Sequence, residues 1–231
     1  TYRSQIMEQL IQRLFALIIT IISLILFLFG SQLRAQRSID IYRVENKIKI
    51  DGHVEEGEWA DHIIAGDFIQ SAPEPGMSSI RKTEIAILND EAYLYVLGIM
   101  HTEESKEIRN QLTQRDDLGN SDFFILQLDP FGEAREGYEF GVTAAGVQFD
   151  QKISGTQGYA DFNVVWESSV RIEADRWIVE MRIPFNSIRF PKENLENFNV
   201  NFQRMSVALN EDSYWNQIKP EVDGFLNQFG D

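Results

Sequence analysis

Trp177, Val179, Met181 and Ile183 alternate with Ile178, Glu180 and Arg182, and Phe198, Val200 and Phe202 alternate with Asn199, Asn201 and Gln203. A period of two puts successive side chains on opposite faces of a pleated strand, so each run offers one apolar face to a core. Runs of this kind recur along the chain. Residues 83–88 and 92–100 flank Asn89-Asp90-Glu91 as a hairpin whose second strand, Tyr93-Leu94-Tyr95-Val96-Leu97, is apolar on both faces and therefore central. Residues 138–143 and 147–153 flank Ala144-Ala145-Gly146, and residues 166–173 and 177–183 flank Ala174-Asp175, giving two further hairpins. With 47–50, 123–128 and 198–202 added, about nine short strands joined mostly by tight turns predict an all-β, antiparallel β-sandwich. Helical turns are expected only at 54–62, around Trp59, and at 103–112, while Pro73, Pro75 and Gly76 mark 71–79 as a loop.

The first 35 residues do not fit this pattern. Residues 14–30 form a 17-residue apolar run broken only by Thr20 and Ser23, preceded by Arg3 and Arg13 and followed by Ser31-Gln32-Leu33-Arg34-Ala35. Basic, apolar, then a small residue is the order of a signal peptide helix, with cleavage expected after Ala35. Met7 then serves as the start and 1–6 as an upstream extension. The alternative is an uncleaved anchor, because such a run reaches about 25 Å as a helix, the short end of a bilayer span. The expected organisation is a signal over 1–35 and one β-domain over 36–231, with no linker or repeat dividing it.

Charge and chemistry narrow the function classes. The formal charge is −15, and removing Arg3, Arg13, Arg34 and Glu8 with the leader leaves 18 basic against 35 acidic residues. Such a surface repels a phosphate backbone, so no nucleic-acid partner is expected. The absence of Cys excludes thiol catalysis and thiolate metal sites. His53, His62 and His101 are isolated, and no zinc-protease helix, nucleophile elbow or phosphate loop is present, so no catalytic residue is assigned. A glycosidase needs two carboxylates at a set separation, which a sequence this acidic cannot single out. Asp116, Asp117 and Asp122, in and beside the Gly-containing loop 115–121, are oxygen ligands of the kind Ca²⁺ takes, though without helix-loop-helix spacing; a solvated loop is the alternative. No other cofactor is expected.

The ordered motifs carry a resemblance. Asp51-Gly52-His53-Val54-Glu55-Glu56-Gly57-Glu58-Trp59-Ala60 comes first, then Glu84-Ile85-Ala86-Ile87-Leu88, Ala92-Tyr93-Leu94-Tyr95-Val96 and Ser121-Asp122-Phe123-Phe124-Ile125-Leu126-Gln127-Leu128-Asp129. Tyr138-Glu139-Phe140, Trp177-Ile178-Val179-Glu180-Met181-Arg182-Ile183-Pro184 and Phe198-Asn199-Val200-Asn201-Phe202 follow. In this order they resemble family 9 carbohydrate-binding modules from Lys47 onward. More narrowly, residues 138–150 and 183–190 resemble exported bacterial proteins in which such a module precedes an outer-membrane β-barrel. The resemblance implies a β-sandwich that binds a glycan or an envelope protein, in the periplasm or outer membrane, tied to the membrane by the signal segment or by a barrel beyond the given chain. Phe229-Gly230-Asp231 resembles the opening of the module's last strand, so the chain is expected to stop inside its own domain.

Family 9 modules clamp a sugar ring between two Trp side chains, the apolar pyranose face stacking on the π-surface while polar groups hold the hydroxyls. The resemblance puts Trp215 at one clamp. The other clamp falls near Gly119 and two polar ligands fall near Ile125 and Gly141, none of which can play the part. A site rebuilt from Tyr159, Phe162 and Trp166, together with Trp215, is the resulting expectation. Trp59 and Trp177 are expected in the core.

Overall fold

A computed structural model describes residues 12–15, 17–18, 36–54, 59–155, 157–159, 161–189, 198–219, 222 and 224–230. The chain divides into a unit 1–35 and a unit 36–231. In the first, 12–15 and 17–18 are helical, and the rest of the expected signal lies outside the described residues. Among the described residues no helix is long and apolar enough to cross a membrane.

The second unit is an antiparallel-rich β-sandwich. Its strands are β1 (Tyr42–Arg43), β2 (Ile64–Ala65), β3 (Ile69–Ala72), β4 (Thr83–Asn89), β5 (Tyr93–His101), β6 (Phe123–Asp129), β7 (Glu136–Thr143), β8 (Gln148–Ser154), β9 (Gln157–Tyr159), β10 (Glu167–Ile172), β11 (Arg176–Pro184), β12 (Asn199–Ser206) and β13 (Glu211–Tyr214). One sheet runs β1-β4-β5-β11-β10, with β2 also on β4; the other runs β3-β13-β12-β6-β7-β8-β9. All three expected hairpins form, and β5, apolar on both faces, is central with β4 and β11 on either side. β1, β2, β3, β9 and β13 lie outside the expected strands, since two to four residues are too few to show a period, and β3 takes Ser71 and Ala72 from the expected loop 71–79.

Two other expectations need correction. Residues 47–50 are not a strand: Ile48 is buried while Lys49 is exposed, so the alternation records one side chain docking on a surface rather than ladder pairing. Over 103–112 only Ser105–Glu107 is helical, a 3₁₀ turn with no buried residue, so no apolar stripe holds a longer helix. Of the turn expected at 54–62, residues 55–58 lie outside the described residues, and 59–62 form a turn.

The two inner faces make one core. Leu94, Val96, Trp177, Val179 and Met181 from the six-stranded sheet meet Phe124, Leu126, Phe140 and Phe202 from the seven-stranded one. Each such burial is worth roughly 1.5–3 kcal/mol relative to exposure. Arg204 also points inward and is 1% exposed. It donates to the carbonyls of Lys82 (3.0 Å) and His101 (2.7 Å) and to Thr83 Oγ1 (2.9 Å), joining the sheets at one end. Burial draws its guanidinium down to about 10.

The outer faces are finished differently. On the six-stranded sheet, residues 44–54 and 59–63 lay Ile48 and Trp59 over Ala86, Leu88, Tyr95, Leu97 and Ile178. Glu180, fully buried there, accepts from the backbone N–H of Asp51 (2.8 Å) and Gly52 (2.6 Å) and from Trp59 Nε1 (2.9 Å). The Asp-Gly and Trp of the leading motif thus build a three-donor cradle for one carboxylate. Gly52 sits at φ +81°, with Arg171 Cβ only 3.0 Å from where its own Cβ would be. On the seven-stranded sheet, Leu226 and Phe229 cover Ile153 at one end, and Gly230 bridges Val200.

Candidate functional site

The aromatic residues expected to bind sugar do not converge on a surface. Trp215 is 2% exposed, edge-on to Phe202 at 5.7 Å. The position assigned to a clamp is therefore core, because the chain leaving β13 turns this ring between the sheets. Trp166 is 5% exposed, edge-on to Phe140 at 5.5 Å, with Nε1 donating to Asp150 Oδ1 at 3.2 Å. Phe162 packs on Tyr138 at 5.0 Å. Trp215 and Trp166 thus belong to the core, and Phe162 packs half-buried at its edge. Tyr159 alone is exposed, at 48%, its hydroxyl 3.4 Å from Gln157 Oε1.

The aspartates considered for calcium each hold a backbone amide. Asp116 Oδ1 accepts from Asp150 N (3.1 Å), Asp117 Oδ1 from Gly119 N (3.0 Å) and Asp122 Oδ1 from Val207 N (2.9 Å). Among the described residues no group of three or more His, Asp or Glu side chains is placed to hold a metal.

The outer face of the seven-stranded sheet gathers polar side chains instead. Register aligns Tyr214, Gln203, Ile125, Gly141 and Phe149 in one row across β13, β12, β6, β7 and β8. Here the positions matched to family ligands are side by side but apolar. Ile125 Cγ1 and Phe149 Cδ1 lie 2.9 and 3.2 Å from where a Cβ on Gly141 would stand, so these two side chains fill the place a polar ligand would take.

The next row is polar. Asn201, Gln127, Glu139 and Gln151 lie across β12, β6, β7 and β8. Asn201 is engaged by Asn216, donating to its carbonyl (3.0 Å) and accepting from its N–H (2.8 Å). Glu139 accepts from Gln127 Nε2 at 2.8 Å through one oxygen and from Gln151 Nε2 through the other. It is 7% exposed, and burial, only partly offset by these two amides, pushes its carboxyl above the usual range. On the neighbouring strands Asp212 Oδ1 accepts from Gln203 Nε2 at 2.8 Å, and Asp212 also accepts from the Tyr214 hydroxyl. Burial raises Asp212 too. Tyr214 is raised first by burial and then by the charges of Asp212 and Glu139, which places all three groups in one electrostatic neighbourhood.

The sequence held part of this cluster. Gln127 and Glu139 each interrupt an apolar strand, which marks them as outer-face positions. Their alignment in one row depends on the pairing of four strands, two of them far apart in sequence, and no local pattern specifies that.

No protein-family model matches the sequence, and no curated protein matches it. Solved structures share its architecture, three of them as follows. One is a candidate carbohydrate-binding protein from Bacteroides uniformis ATCC 8492, at TM-score 0.61 and 13% identity, over 85% of this chain and 98% of that one. The other two are a family 9 carbohydrate-binding module from Caldicellulosiruptor kristjanssonii. In complex with glucose it gives TM-score 0.56 at 15% identity, over 84% of this chain and 93% of that one. In complex with cellotriose it gives 0.55 at 15% identity, over 84% and 91%. The fold is that of a family 9 carbohydrate-binding module. At these identities the likeness is one of fold, and what the surface binds has to be argued from its own residues.

Proposed function

We infer that this chain is a non-catalytic glycan-binding module of an exported protein, and that its binding surface is the outer face of the seven-stranded sheet around Glu139, Asp212, Gln203 and Gln151. The carrying observation is that polar cluster. Two carboxylates, three amides and a tyrosine hydroxyl gather beside the apolar wall of Ile125 and Phe149, a mixture suited to hydroxyls on one side of a sugar and C–H groups on the other. The fold supports the reading, since the similar module from C. kristjanssonii is seen with glucose and cellotriose. Export, to the periplasm or outer membrane, rests on the basic and apolar order of 1–35 and on the motif resemblance at 138–150 and 183–190. Calorimetric titration with glucose and cello-oligosaccharides tests the function. Binding should be lost in Asp212→Ala and Gln203→Ala with the thermal melt retained.

A second reading has its own observation. Trp215 is in the core and the other clamp position, near Gly119, carries no ring, so the two-ring clamp is missing, and a module that has exchanged sugar binding for contact with an envelope protein would look the same there. Failure of every sugar in that titration, with the protein folded, favours this alternative.

A further inference from the structure

Among the described residues the two sheets have four edges, and three of them are short or covered. Along β4, the six-stranded sheet carries β1 at one end and β2 at the other. In the seven-stranded sheet β3 is backed by residues 77–79, with Gln70 N donating to Met77 O (2.8 Å) and Ser79 N to Phe68 O (2.8 Å), while β9 is only three residues long. The fourth edge is β10. It is six residues long, half-exposed, and among the described residues it pairs only with β11. A row of unpaired backbone N–H and C=O groups is a template for another strand, which folds ordinarily remove by shortening or covering it.

The residues of β10 set what that strand can be. Glu167, Ser169 and Arg171 lie opposite Arg182, Glu180 and Ile178 of β11, and so share the outer face. In an antiparallel pair, directly opposite residues carry side chains on the same face, and their backbone groups both point at each other or both point away. Two copies of one strand therefore meet about a two-fold axis that passes through a residue. An axis through Ser169 sets Glu167 opposite Arg171 of the partner copy, and does so twice. An axis through Val170 would set Glu167 opposite Glu173 instead, which repels. Within each copy Glu167 is already paired with Arg182, and Arg171 Nε with Glu173 Oε1 at 3.4 Å. Joined about Ser169, these pairs become one run of alternating charge across the seam.

We propose that β10 is a homodimer edge, pairing antiparallel with β10 of a second copy about Ser169 and joining the two six-stranded sheets into one. The seam uses none of the residues assigned above to glycan binding. Main-chain hydrogen bonds and two Glu–Arg pairs favour it. The formal charge of −15 on each chain opposes it at long range, where physiological salt screens repulsion beyond about 8 Å.

Analytical ultracentrifugation of the full chain in that salt should show a monomer–dimer equilibrium. Glu167→Arg and Arg171→Glu each set like charges opposite one another at both ends of the seam, and each should raise the dissociation constant at least about tenfold. An equimolar mixture of the two variants should recover the dimer, because a copy with two arginines then faces a copy with two glutamates. The chain has no Cys, so Ser169→Cys gives an independent measurement if a charge variant does not fold. Mild oxidation should link two copies through that position, faster than through Glu133→Cys on an exposed loop. A chain that stays monomeric at every concentration overturns the proposal, as does a Ser169→Cys protein that links no faster than Glu133→Cys. A dimer that ignores both charge substitutions also overturns it, since the contact then lies elsewhere, residues 14–30 included. A mixture as dissociated as its parts overturns it too, and leaves the β10 edge to a strand of a different protein.

Discussion

The two outer faces of the sandwich treat a buried carboxylate in opposite ways. On the six-stranded sheet Glu180 lies under Asp51, Gly52 and Trp59 and receives two backbone N–H groups and an indole N–H, donors fixed by the fold. On the seven-stranded sheet Glu139 and Asp212 are held by side-chain amides and a hydroxyl, and Gln127 Oε1 is left without a partner. Burial raises all three carboxylates. The difference is in the donors. Backbone donors cannot turn elsewhere, so Glu180 ties one segment to one sheet; amide side chains can reorient, so Glu139 and Asp212 can share their partners with a ligand. One face is fastened by backbone donors, and the other by side chains.

The largest effects should come from the core that both faces share. Trp177→Ala removes a fully buried indole and Trp215→Ala one that is 2% exposed, and each should destabilise by about 3–5 kcal/mol in denaturant titration. A Trp215→Ala protein that melts like the parent would put this ring back on the surface as a sugar platform.

Trp59→Phe sharpens the contrast on the six-stranded side. It keeps the ring that packs with Ile48 but deletes the Nε1 donor to Glu180, leaving one oxygen of a buried carboxylate short of its partner. The expected loss is about 1–3 kcal/mol. No measurable loss would mean that water replaces the indole, and that this face is more open than its packing indicates.

How much of this was legible depended on range. The alternation in β11 and β12 and the turns at Asn89-Asp90-Glu91, Ala144-Ala145-Gly146 and Ala174-Asp175 are local, and they yielded the hairpins and the sandwich. Trp59 and Trp177 were readable as core from motif and period. The function of Asp51-Gly52 was not, because its partner, Glu180, is more than a hundred residues away and the link is made by backbone amides that leave no trace in residue type. Trp215 misled for a related reason: correspondence along the chain set it at a clamp, but the packing of Phe202 beneath the end of β13 turns it inward. The site itself is a product of register, and register is set by the whole core.

Glu139→Gln tests the other face through pH. A carboxyl raised above its ordinary value, 4.5 for Glu, binds its proton more tightly folded than unfolded. Its contribution to stability is therefore complete below the ordinary Glu range and is lost as pH rises through the folded value. The amide has no proton to lose, so the variant should match the parent in acid and exceed it in melting temperature at neutral pH and above. With the Gln127 amide turned over, the variant's new NH₂ can donate to Gln127 Oε1. A variant less stable than the parent at neutral pH would show that the charged form of Glu139 holds the sheet, as Glu180 holds Asp51, Gly52 and Trp59.

Asp212→Asn should have the smallest effect on the melt, within about 0.5 kcal/mol, because the group is half-buried and its substitute can still accept from Gln203 through Oδ1 while its NH₂ donates to the Tyr214 hydroxyl oxygen. That smallness is what makes it useful. A residue whose loss costs the fold nothing, yet which lies beside a buried carboxylate and an unpartnered buried acceptor, contributes to something other than the fold. Differential scanning calorimetry against the parent checks the prediction. A loss of several kcal/mol would place Asp212 with Glu180 among the fastenings of the sandwich, and the distinction between the two faces would then rest on Glu139 alone.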